Sequence, residues 1–232
     1  MDTASTRPVI YSKTDLIVMI VLFSVLWGLS ETVLGNLMRM TEAPLRATVA
    51  TGVGMGIMGC FLGILKKPLM LPFIALLAAA SVQLSAPILH CSLMCKANAN
   101  LAVILHGMML FAMSVASVRA KGKGVFSFAA AGFAAALLSS AAFYHMGLRL
   151  APCPYLLSFS GHGGFVHFLT REGIPWAGFS AILFPAGVLA GNRLQRLLSK
   201  MRFSYPRQFY GGASAFIVTG LLVIAVTVQY WR

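Results

Sequence analysis

The residues of this chain that could do chemistry are few: five histidines, four cysteines and a single carboxylate, Glu31, set inside an apolar stretch. His90-Cys91-x-x-x-Cys95 gathers imidazole and thiolate, donors that suit soft or borderline metal ions. The spacing is not Cys-x-x-Cys, so a second ligand pair would have to come from the stretch that carries Cys153, His162 and His167. Three readings stay open for these thiols. Cys91 and Cys95 are metal ligands; or Cys91–Cys95 or Cys95–Cys153 is a disulfide, allowed in an oxidising compartment; or they are plain thiols. Haem held by His106 and His145 is a further option, although the two lie at different depths on neighbouring spans. No other cofactor is implied.

Glu31 is the sharpest single residue. A carboxylate in the bilayer costs about 3 kcal/mol or more unless it is paired or protonated. The other acids, Asp2, Asp15, Glu42 and Glu172, read as flanks or loops. At helical spacing Ser24, Trp27, Gly28, Glu31, Thr32, Gly35 and Met38 share one sector, a small and polar face that should look into the protein. Glu31 is then either a ligand contact or proton carrier, or structural glue to a neighbouring helix. Trp27, one turn away, either stacks on a ring or fills the core.

Composition sets the elements that must hold these groups. Hydrophobic residues make up 59% of the 232, charged residues only 10%, and the mean hydropathy is +0.84. A soluble domain carries about a quarter charged residues, so the expected class is an all-α, polytopic membrane protein in one integral membrane domain. No polar stretch is long enough to fold alone. Crossing the hydrocarbon takes about 20 apolar residues. Seven segments qualify: 16–38, 44–65, 68–89, 97–118, 125–148, 174–192 and 208–230. The first is too long for a signal peptide's apolar region and has no cleavage site after it. Tyr210 and Tyr230-Trp231 frame the last as an aromatic belt would.

The bases set the orientation. With the N-terminus in the cytoplasm, twelve of the eighteen Lys and Arg lie inside, including Lys66, Lys67, Arg119 and the Arg193–Arg207 group. Six lie outside: Arg39, Arg46, Lys96, Arg149, Arg171 and Arg232. The net charge of +13 is therefore mostly a cytoplasmic rim, and its dispersal among short loops argues against a nucleic-acid surface. On this topology all five histidines and three of the cysteines fall in the outer half, which suggests an outward-facing site. Its candidate substrate-binding residues are Trp27, Glu31, His90, Asn98, Asn100, His106, His145, Tyr155, His162 and His167. The outer connection 149–173, with its prolines and aromatics, reads as a lid or re-entrant segment. Gly52/Gly56 and Gly59/Gly63 are small-xxx-small pairs, expected to pack within the chain and less so against a partner. There is no Walker A sequence, no dinucleotide fingerprint and no serine-nucleophile elbow, so no enzyme class is indicated.

The opening span, with Leu26-Trp27-Gly28-Leu29-Ser30-Glu31 followed by Leu34-Gly35, resembles that of substrate-binding S components of energy-coupling factor (ECF) transporters. The resemblance covers residues 16–65 and is architectural beyond them. It implies a six-helix core plus one span that captures a micronutrient, a vitamin, a precursor or a metal complex, at the outer face of a bacterial cytoplasmic membrane. It also implies two kinds of partner, a coupling membrane protein and cytoplasmic ATPases. The chain departs from the family in its seventh span. It also has Ser24-xxx-Gly28-xxx-Thr32 where an alanine-xxx-alanine coupling motif is expected. The alternatives are a membrane oxidoreductase using the outer thiols or haem, and a scaffold subunit of a membrane complex.

Overall fold

The computed structural model describes residues 11–40, 45–83, 97–119 and 124–229, and every regular element among them is helical. The long helices are α1 (Lys13–Met40), α2 (Arg46–Leu65), α4 (Ala97–Arg119), α5 (Val125–Leu150), α8 (Ile174–Ser204) and α9 (Pro206–Gln229). Shorter ones are α3 (Leu71–Gln83), entered through a 3₁₀ turn at Pro68–Met70, then α6 (Pro154–Leu157) and α7 (Gly164–Phe168). A π turn, Leu169–Gly173, joins α7 to α8.

Among the described residues six helices are long and apolar enough to cross a membrane, which fits a multi-pass helical membrane protein. Seven spans are not confirmed, because the third expected span is described only over Pro68–Gln83. Pro68–Gln83 is 16 residues, roughly 25 Å of helix, short of a full crossing. The expected continuation to residue 89 lies outside the described residues. The sixth segment is longer than expected: α8 runs 31 residues, about 46 Å, and carries its basic C-terminal turns beyond the hydrocarbon thickness.

The helices that build the centre meet through glycine. A Cβ at Gly59 would lie 2.3 Å from the Phe184 carbonyl oxygen, and one at Gly63 2.3 Å from that of Val188. The reverse fit holds on α8, where Gly187 and Gly191 face the Gly56 and Cys60 carbonyls at 2.0 and 2.1 Å. The small-residue stripe of α2 is thus spent on α8, inside the chain. Gly28 on α1 meets Ser81 of α3 in the same way, at 2.2 Å. Pro185 sits buried in the middle of α8, a place where neighbouring helices make the missing hydrogen bond tolerable.

At the end of the bundle opposite the connection 151–173, Asp15 is fully buried in the first turn of α1, so Glu31 is not the only acid on a long apolar helix. Arg202 of α8 pairs with Asp15 at 2.6 Å, and the Tyr210 hydroxyl of α9 donates to its other oxygen at 2.6 Å. Ser12 donates from both its backbone and its hydroxyl at 2.6 Å. Tyr210, expected in an aromatic belt, is therefore part of a clasp that ties the start of α1 to the junction of α8 and α9. Tyr230 and Trp231 lie outside the described residues.

Candidate functional site

A cavity of about 610 Å³ opens at the end of the bundle away from the Asp15 clasp, within the range of small-molecule sites. Helices α1, α2, α4, α5 and α8 supply its walls, and α6 supplies Tyr155 at its mouth.

Two walls repeat one device. On α1 the Trp27 indole N–H donates to Glu31 Oε1, one turn along, at 3.2 Å. At the start of α8 the Trp176 indole N–H donates to Glu172 Oε2, again four residues away, at 3.2 Å. In each case the ring shields its carboxylate on one side and leaves it facing the cavity. The Tyr155 hydroxyl donates to the second oxygen of Glu172. Burial and this bond push the tyrosine hydroxyl well above its usual range, so it stays a donor.

Glu172 owes its place to the π turn, a feature often found at functional sites. The extra residue per turn rotates Glu172 inward, where it is only 8% exposed. Gly173 makes the turn sterically feasible, since a Cβ there would lie 2.6 Å from Ser140 Oγ on α5. The connection expected as a lid or re-entrant segment contains two short helices that pack on the bundle. Leu156, Phe159 and Phe168 are buried, and the Tyr144 hydroxyl holds the Phe159 carbonyl at 2.9 Å. Glu172, expected in a loop, lies on a continuous run of helix from Gly164 to Ser204.

His106 is 4% exposed and lies eight residues, about 12 Å, deeper along α4 than Asn98. Its Nδ1 is 2.6 Å from the Ala102 carbonyl, which can only accept, so Nδ1 carries the proton. Burial disfavours a charged ring, and in the neutral form Nε2 is an acceptor, buried without a partner. The ring packs on Trp176 at 5.6 Å, and Trp176 on Phe143 at 6.0 Å. Asn98 gives its amide N–H to Cys153 Sγ at 2.9 Å, leaving Oδ1 buried and unpartnered.

Of the ten residues expected to bind substrate, Trp27, Glu31, Asn98, His106 and Tyr155 line the cavity. Asn100 does not, and its amide donates to Gln83 at the end of α3. His145 is exposed and stacks on Phe165 at 4.9 Å, outside the cavity. Two residues on from Phe143, it points to another side of α5, so His106 and His145 do not face one haem iron. His162 and His167 are exposed on the connection between α5 and α8, His167 packing on Phe159 at 5.3 Å. His90, Cys91 and Cys95 lie outside the described residues. Cys153 is a free thiol, and among the described residues no group of three His, Cys, Asp or Glu is placed to hold a metal.

Sequence reasoning missed Arg46, Arg171, Glu172 and Trp176. The signal for two of them was present: Glu172-x-x-x-Trp176 mirrors Trp27-x-x-x-Glu31 at the same helical spacing. Starting the sixth span ten residues earlier would have exposed it.

Comparison with protein-family models, with curated proteins and with solved structures finds no match.

One test of the site's geometry needs no ligand. A Cβ on Gly54 of α2 would lie 2.3 Å from Trp27 Nε1, so this glycine makes the room in which the indole meets Glu31. Gly54→Ala should displace the indole and break its bond to Glu31. In a Trp176→Phe, Trp231→Phe chain the fluorescence of Trp27 should shift while helix content holds. An unchanged emission maximum would remove the packing argument.

Proposed function

We propose that the chain is a substrate-capture subunit for uptake of a small micronutrient. In this reading it sits in a bacterial cytoplasmic membrane with its N-terminus inside and takes its energy from an ECF-type coupling protein and ATPases. The observation that carries it is the cavity itself. It is about 610 Å³, walled by aromatics, furnished with a few converging polar groups, and open at the end of the helix bundle where Arg46, Tyr155 and Arg171 are exposed. That end is opposite the basic turns that the positive-inside rule assigns to the cytoplasm. The opening span's likeness to S components and the lack of an ATP-binding sequence support a captured ligand and borrowed energy. The α2 glycines, being occupied by α8, are not the face that meets a coupling protein.

The test has three readouts. Native mass spectrometry of gently purified protein should find one retained small molecule, and Glu31→Gln or Glu172→Gln should lower its occupancy tenfold or more, the scale of a lost charge-assisted hydrogen bond. Reporters fused after Lys121 and after Arg232 should report cytoplasm and outside. The isolated chain should bind without accumulating, and accumulation should appear on co-expression with the coupling protein and ATPases. Ion-driven accumulation by the isolated chain in liposomes would make it a secondary transporter.

A further inference from the structure

The polar groups of the cavity are sorted by depth, and the sorting points to one kind of ligand. Among the described residues the deep part is lined by no Lys or Arg, and its two indole N–H groups are already committed to Glu31 and Glu172. What that part offers is acceptors. His106 Nε2 is a bare lone pair, buried, unpartnered and set on a ring that lines the cavity. Higher up, the two carboxylates stand on separate walls, and Asn98 Oδ1 adds another buried acceptor without a donor. A buried acceptor left unmet costs about 1–3 kcal/mol, so these atoms call for donors. At the mouth the sign reverses: Arg46 and Arg171 are both exposed there, and both act electrostatically on Tyr155. Flat rings on α1, α5 and α8 (Trp27, Phe143 and Trp176) line the space between.

We infer that the cavity receives a planar molecule with two unlike ends. An N–H-donating head, an amine, an amidine or a protonated ring nitrogen, enters first and meets His106 and the two carboxylates. An anionic group follows and stays at the mouth with Arg46 and Arg171. A purely anionic ligand would bring its charge up against the carboxylates of Glu31 and Glu172. A purely apolar one would leave His106 Nε2 and Asn98 Oδ1 unmet. This inference rests on the capture reading and adds the chemical class of what is captured.

Four probes on one ring separate the contributions: 4-carboxybenzamidine (head and tail), benzamidine (head), benzoate (tail) and methyl benzoate (neither). Binding to the full chain in lipid nanodiscs is read by calorimetry. The expected order is 4-carboxybenzamidine, then benzamidine, then the two others, with at least tenfold between the first and benzoate. His106→Phe should weaken 4-carboxybenzamidine tenfold or more, and His106→Gln, which can return an acceptor, should recover part of that. The ranking in the unaltered chain stands even if the variants fail to fold. Benzoate binding better than benzamidine would overturn the inference while leaving capture intact, as would equal binding of all four. No binding by any probe would overturn it too. In that case a molecule retained in native mass spectrometry would show that capture survives, and its absence that both ideas fail.

Discussion

Gly187→Ala should lower thermal stability sharply, and Gly187→Leu should leave no folded protein to purify. A Cβ at Gly187 would lie 2.0 Å from the Gly56 carbonyl oxygen and 2.9 Å from its carbon. These are backbone atoms of a helix and cannot swing aside, so α2 and α8 must separate. In lipid no hydrophobic gain holds two helices together, and association depends on close packing and on hydrogen bonds. Forcing a methyl into a packed contact costs about 1–3 kcal/mol, against a total stability of roughly 5–15 kcal/mol for an ordinary domain. The same separation would pull Thr51 and Arg46 of α2 away from Trp176 of α8 and open the cavity wall. Gly178, on the same helix, has nothing within 4 Å of its Cβ position. Gly178→Ala should be neutral or stabilising by up to about 1 kcal/mol from helix propensity. Thermal unfolding in detergent compares the two directly. Equal melting temperatures for both alanine variants would mean that the α2–α8 contact is not as close as described.

The second large effect is expected from Arg202→Ala. Asp15 is inaccessible to solvent and forms an ion pair with Arg202 at 2.6 Å. Removing one partner of a buried pair costs about 3–5 kcal/mol, because the remaining charge is stranded. Here Ser12 and Tyr210 still donate to the carboxylate, which should hold the loss near the lower end. Arg202 also packs over Tyr11 and Phe203, with its guanidinium carbon 5.6 and 4.9 Å from the ring centroids. Arg202→Lys should therefore restore the charge but only part of the stability, since an ammonium lacks the planar fork that stacks and bridges. A second variant separates charge from packing. Arg202→Ala with Asp15→Asn removes the stranded charge and should melt above Arg202→Ala alone. If the double variant melts no higher, the stranded charge is not the source of the loss. Ligand binding at the far end should change little in variants that still fold.

How far the cavity was legible differs from wall to wall. The α1 wall was legible because one short period carries it: Trp27, Glu31 and Gly35 recur every four residues amid apolar neighbours. Asn98 and His106 were legible for the same reason on α4. The α8 wall was not, because Glu172 and Trp176 straddle a π turn. Its extra residue per turn breaks the periodicity that a sequence reading depends on. The exposed histidines drew attention by residue type alone. His145 and His167 found aromatic neighbours on the outer surface, and no local rule says which face of a helix end the cavity will take.

The sequence by itself determined the solvent of this protein. Too few charges for a water-facing surface, and apolar runs of about bilayer length, leave helices in a membrane as the consistent outcome. It also determined which small residues would let helices approach. Only the tertiary structure decided what those helices enclose. Bringing Glu31 and Glu172 to one cavity requires α1 and α8 to stand on facing sides of it, and the chain separates those residues by more than half its length. Likewise Asp15 and Arg202 are attractive only once folded: apart they are two ordinary flanking charges, and together in a buried corner they form a clasp. Local pattern reports each residue's preference for lipid, water or core. Which preferences are met by the same neighbours depends on contacts between distant segments, and those exist only after the helices have packed.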